Sequence, residues 1–220
     1  MGKKKLILFG ASNFGDEIVQ LFRDIDMAKG NAEWDVVGFL DDDDSLHGQV
    51  RNGVPVLGAI EWLDQQHVGD YWFVCVIGSP KARSVVVPKM KAKGARFATG
   101  IHPSVIISDT SIIAEGTVVT AGNIITTNVQ IGAHVIVNLA CTIGHYSKIG
   151  AYSTINPGAN ISGDVTLEEG VLIGTNATVL EKKTIGAYSK IGAGAMVHKD
   201  VPSRVTAVGV PAKVLKGLAD

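Results

Sequence analysis

A histidine that projects into solvent can take a proton from an attacking amine or hydroxyl, and His145 is the residue of this 220-residue chain best placed for that work. It is the third residue of a hexad, Ile143-Gly144-His145, which points it outward from a corner. Asn138 lies on the preceding side and could fix a donor or acceptor nearby. Counting three hexads forward from Tyr146 reaches Asp164, a carboxylate that would stack one coil away. A lone exposed histidine without a role is the plain alternative. None of the other C-terminal histidines, His102, His134 and His198, stands three hexads from another or from His145. No cysteine or histidine neighbours them at ligand spacing, so no metal site is expected. Cys75 and Cys141 sit in apolar runs, as reduced, buried thiols do. Neither is an evident nucleophile.

A second set of candidates lies in the first hundred residues. Gly10-x-x-x-x-Gly15 follows the apolar run Lys5–Phe9 and opens a helix, so its free N–H groups could receive a phosphate. With Ser12 in place of the middle glycine it is not the full dinucleotide fingerprint. Asp41–Asp44 could accept hydrogen bonds from a ribose or a base, or could simply cap a strand in solvent.

These groups must be held by alternating elements. Strands are expected at Lys5–Phe9, Trp34–Leu40, Tyr71–Ile77 and Arg96–Ala98, with helices near Asp16–Asp26, Ala59–Gln66 and Pro80–Lys93. That alternation implies a small parallel α/β sheet over residues 1–100. Ligands of such sheets bind beyond the carboxyl ends of the strands, where Gly10–Gly15, Asp41, Asp42 and Gly78-Ser79 fall.

From Ile101 to Val197 every sixth residue is Ile, Leu or Val, without one interruption or insertion. Neither a helix nor an ordinary strand has period six. The chain is therefore expected to wind as a triangular coil over residues 101–202, one hexad per side and three hexads per turn, in a second domain of residues 101–220 that ends in a C-terminal tail. Glycine recurs at the second hexad position, as at Gly132, Gly144, Gly150 and Gly174, where a corner needs a residue without a Cβ. Small or aliphatic residues recur at the fifth. A coil that serves only as a scaffold has the same period, which proves architecture and not chemistry.

Lys+Arg 20 against Asp+Glu 21 leaves no basic excess, and the halves are balanced separately, 12 to 13 over residues 1–100 and 8 to 8 beyond. Nucleic acid and anionic membranes are thus not expected partners. No apolar stretch approaches the ~20 residues of a membrane span and no signal peptide opens the chain, which points to the cytoplasm.

Across essentially its whole length the sequence resembles the bacterial acetyltransferases that modify nucleotide-linked 4-amino-4,6-dideoxy sugars, and their relatives the sialic acid O-acetyltransferases. The resemblance rests on Gly10-Ala11-Ser12-x-x-Gly15, Gly38-Phe39-Leu40-Asp41-Asp42, and Val76-Ile77-Gly78 with Arg83 downstream. It continues through Asn138, His145, Ile149-Gly150, Pro157-Gly158-Ala159, Gly163, Gly174 and Gly209-Val210-Pro211-Ala212-Lys213. It implies a Rossmann-like α/β domain followed by a left-handed parallel β-helix that trimerises, and N-acetylation at the expense of acetyl-CoA without a metal. It also implies His145 as base and Ser12, Asn13, Phe14, Asp41, Asp42 and Gly78 at the sugar nucleotide. Thr154, Gly163, Gly174, Thr175 and Ala193 fall along the acetyl-CoA groove between subunits. The family carries Asp or Glu after its histidine where this chain has Tyr146, and often histidine where Phe14 and Thr154 stand. Asp164 or the Tyr146 hydroxyl is expected to orient the imidazole instead. O-acetylation of a sialic acid or related sugar, and a catalytically silent nucleotide-sugar binder, are the alternative readings.

Overall fold

The computed structural model describes residues 2–215. An α/β sheet comes first: β1 (Lys4–Phe9), α1 (Asn13–Lys29), β2 (Trp34–Leu40), β3 (Val50–Arg51), β4 (Val54–Gly58), β5 (Tyr71–Cys75) and α2 (Pro80–Ala92). The strand order is β3-β4-β2-β1-β5. Alternation along β1 serves both faces of the sheet. Leu6 and Leu8 pack with Ile18, Val19 and Phe22 of α1, whereas Ile7 and Phe9 pack with Val87 and Met90 of α2.

Three elements depart from the sequence reading. Ala59–Gln66, expected as a helix, forms only a 3₁₀ segment, Ile60–Gln65, without the length to repeat α-helical bonds. Arg96–Ala98 reduces to one bridge, Phe73 to Phe97. The sheet is not wholly parallel, because β3 and β4 form an antiparallel hairpin too short to show a period.

The rest is a left-handed parallel β-helix. Two-residue strands stack into three faces. The first face begins at Gly100–Ile101, the second at Ile106–Ile107 and the third at Ile112–Ile113. Register advances by three hexads per coil, as in Ile125 to Ile143 to Ile161. The inward column from Val119 to Val197 is buried, each aliphatic side chain contributing ~1.5–3 kcal/mol.

The corners explain the rest of the pattern. The fourth residue of successive hexads is left-handed, whether glycine or not: Asn128, His134, Ala140, Tyr146 and Tyr152 all have φ near +60°. The glycines at the second position do not take that conformation. They are required because the next coil lies against them: a Cβ on Gly150 would stand 2.5 Å from the carbonyl carbon of Glu168, and one on Gly174 would stand 2.5 Å from Ala193 N. At the fifth position, serine hydroxyls pair the backbone inside the corner. Ser147 Oγ donates to Ser162 O (2.9 Å) and accepts from Val165 N (3.2 Å).

Candidate active site

His145 lies on the corner between the second and third faces, between the strands Thr142–Ile143 and Lys148–Ile149. Its side chain is exposed. Among the described residues neither ring nitrogen has a hydrogen-bond or ion-pair partner. The imidazole rests on the next coil, where a Cβ built on Gly163 would meet its Cε1 at 2.3 Å and its Nε2 at 2.5 Å. Tyr146 sets its ring edge-on to the imidazole at 5.9 Å and is itself exposed. Asp164 is stacked as the three-hexad count requires, but through the backbone: its N–H donates to His145 O at 2.8 Å. Its exposed carboxylate makes no hydrogen bond or ion pair with the imidazole. Asn138 is on the corner before, where its Oδ1 accepts from Leu139 N (2.8 Å) and does not reach His145.

The groups expected around a sugar nucleotide do converge at the carboxyl ends of β1 and β2. Gly10 has φ +119°, and a Cβ on Gly15 would lie 2.6 Å from Gly10 O, so the turn closes only with glycines. Asp41 is not a solvated cap. Its Oδ2 accepts from Ala11 N (2.7 Å) and its Oδ1 from Asp43 N (3.0 Å), which ties the glycine turn to the end of β2. Asp42 Oδ1 accepts from Ile60 N at 3.4 Å. Asn13 Oδ1 accepts from Arg51 Nη2 (2.9 Å), and Arg51 also pairs with Asp16 (3.0 Å), latching the β3–β4 hairpin to the start of α1. Ser12 is exposed and caps α1 without a side-chain bond, while Phe14 packs against the core of α1.

Thr154 belongs to the domain junction and not to a groove. It is 3% exposed, and its hydroxyl donates to Gly78 O (3.0 Å) while accepting from Arg83 Nη2 (2.9 Å). Arg83 is fully buried and, among the described residues, has no counter-ion. Its Nε donates to His134 O (2.9 Å), its Nη1 to Ile77 O and its Nη2 to Tyr152 O (2.6 Å) and Ser153 O (3.0 Å). Carbonyl oxygens thus replace the water the cation gives up, and burial lowers its pKa to about 10. His134 is held between Phe97 (4.6 Å, edge-on) and Tyr152 (5.5 Å, stacked), and burial takes its pKa down to about 4. The sequence offered a signal for Arg83. It shares the buried stripe of α2 with Pro80, Val87 and Met90, at helical spacing.

The expected coenzyme residues separate. Gly163 lies under His145, whereas Gly174, Thr175 and Ala193 follow first-face strands and occupy the corner between the first and second faces. Thr175 and Ala193 are exposed there, and Gly174 is buried by coil stacking. Among the described residues no group of three or more His, Cys, Asp or Glu could hold a metal ion, and no helix is long and apolar enough to cross a membrane.

Comparison with known proteins adds three findings. Residues 5–90 match the family described as the PglD N-terminal domain. The chain is 30% identical over 170 residues to GDP-perosamine N-acetyltransferase of Escherichia coli O157:H7, covering 77% of this chain and 75% of that protein. Among solved structures it is similar to PerB from Caulobacter crescentus in complex with CoA and GDP-perosamine, with a TM-score of 0.86, 28% identity and 98% of each chain covered. It is equally similar to the acetyltransferase domain of PglB from Neisseria gonorrhoeae in complex with acetyl coenzyme A, with a TM-score of 0.86, 30% identity and coverage of 97% and 100%.

Proposed function

Because this chain belongs to the family of hexapeptide-repeat nucleotide-sugar N-acetyltransferases that includes GDP-perosamine N-acetyltransferase, we propose that it acetylates the amino group of a nucleotide-linked 4-amino-4,6-dideoxy sugar from acetyl-CoA, with His145 as general base. The observation that carries the base assignment is the exposed imidazole with both nitrogens unengaged, seated on an outer corner of the coil.

The sugar amine attacks the thioester carbonyl carbon, and the new C–N bond forms a tetrahedral adduct. His145 takes the proton from that nitrogen and returns one to the sulfur as the C–S bond breaks, leaving an N-acetyl sugar and CoA thiol. A neutral imidazole is the form this requires near neutral pH. The diphosphate of the sugar nucleotide fits the open N-terminus of α1 at Ser12, Asn13 and Phe14, with Asp41, Asp42 and Gly78 bounding the same rim.

The corner bearing His145 lies across the coil from the face that carries the α/β domain, and Thr175 and Ala193 occupy a different corner again. One chain does not gather these groups, so a symmetric trimer with the groove between neighbours is the assembly that does. Outward Ile106, Ile112 and Ile124, exposed on the second and third faces, supply apolar surface for such a contact.

Steady-state CoA release with GDP-, UDP- and dTDP-linked 4-amino sugars tests the reading. One of them should support turnover, and His145→Ala should lower kcat by about 100-fold or more. Near wild-type turnover by His145→Ala would remove the base assignment. Release with sialic acid but with no amino sugar would remove the acceptor.

A further inference from the structure

Glycine serves this coil in two ways, and Gly163 fits neither. Left-handed corners occupy the fourth hexad position, and Gly163 is at the third, without a positive φ. The second-position glycines Gly132, Gly144, Gly150 and Gly174 face backbone of the next coil. At Gly163 all three atoms nearest to an added Cβ belong instead to the ring of His145: Cε1 at 2.3 Å, Nε2 at 2.5 Å and Nδ1 at 2.8 Å. From Pro103 to Ala193, Gly163 is the sole glycine at a third position and His145 the sole histidine, and they stand one full coil apart. Backbone bonds hold the seat on both sides, with Asp164 N donating to His145 O (2.8 Å) and Lys182 N donating to Gly163 O (3.1 Å).

We propose that Gly163 is a positioning residue, a flat seat that fixes the plane of the His145 imidazole by contact alone. This rests on the reading of His145 as base. Any side chain at 163 lifts the ring from the coil and swings its nitrogens away from the line of attack. The seat takes over the orienting task for which no carboxylate contact exists. It also explains why the ring needs no hydrogen bond to hold its direction in the free protein.

The test is a two-by-two set: wild type, Gly163→Ala, His145→Ala and the double variant, each melted and assayed with both substrates varied. Gly163→Ala should lower kcat by about 100-fold while KM for acetyl-CoA stays within about threefold. It should also lower Tm when His145 is present and leave Tm unchanged when His145 is alanine, because the clash is with the ring. Unchanged kcat would overturn the proposal. So would a raised KM for acetyl-CoA at preserved kcat, which would make Gly163 a wall of the groove only, or a loss of Tm that persists without the imidazole. If His145→Ala itself turns over normally, the base reading fails, while the melts still decide whether the ring sits on Gly163.

Discussion

The imidazole of His145 is oriented by what it lies on, and the surrounding polar groups are spectators in the free chain. Asp164 presents its backbone and not its carboxylate to His145, and Tyr146 offers only a ring edge at 5.9 Å. Asp164→Asn and Tyr146→Phe should therefore each keep kcat within about threefold of wild type, under about 1 kcal/mol of barrier. A second histidine behaves oppositely. His134 is 1% exposed, both of its ring nitrogens lack partners, and burial holds its pKa at about 4, below an ordinary 6.5. Between those two values the unfolded chain binds the proton and the folded chain does not. Folding stability therefore rises with pH through that window and is flat on either side of it. The full effect is about 3 kcal/mol. His134→Asn, which tolerates the left-handed φ of 57°, should flatten the rise of Tm between pH 4 and 6.5.

At the scale of the corner, glycine and non-glycine positions exchange the roles a casual reading gives them. Gly174 is needed because Ala193 N and the carbonyl carbon of Gly192 lie 2.5 and 2.6 Å from where a Cβ would be, and backbone cannot step aside. Lys182, with φ at 57°, carries the left-handed strain without glycine's freedom. Gly174→Ala should lower Tm sharply, whereas Lys182→Gly should leave it level or raise it, the relief of strain being about 1 kcal/mol. Differential scanning calorimetry separates the two. The coil was legible because its signal, one inward aliphatic residue per hexad, is local and repeats without a gap. His145 was legible for the same reason, since its place in the hexad fixes the direction in which it points. The β3–β4 hairpin was not legible, because two-residue strands carry no period. Thr154 was misplaced on the groove because its burial is decided by the docking of α2, a contact at a separation of 71 residues that no hexad count contains. Gly163 stood among the residues that the resemblance set on the groove. Its contact with the ring emerges only when the coil register is applied to side chains as well as to strands.

At the scale of the whole molecule, the α/β domain and the coil are joined by a cation that has no counter-charge among the described residues. Arg83 reaches Ile77 on its own side and His134, Tyr152, Ser153 and Thr154 on the coil, so its loss leaves several buried acceptors unpaired in the junction. Arg83→Met should cost at least about 3 kcal/mol, and its melt should broaden or split as the α/β domain uncouples from the coil. The coil's own geometry then bears on assembly. His145 and Gly163 share one corner, while Thr175 and Ala193 share another, and a groove walled by both requires two copies. That arrangement can be tested by complementation. His145→Ala removes the proposed base, and Ala193→Trp fills an exposed position on the proposed other wall without entering the core. Each variant alone should be inactive with a wild-type melt. Co-expressed in equal amounts and assembled at random, they place an intact His145 corner against an intact Ala193 corner at about one interface in four. Every mixed trimer holds one such interface of its three, so activity should return to about a third of wild type in mixed trimers isolated through two different tags. If the mixed assemblies stay inactive while each variant is folded and trimeric, the two corners do not wall one groove, and the coenzyme must run along a single chain.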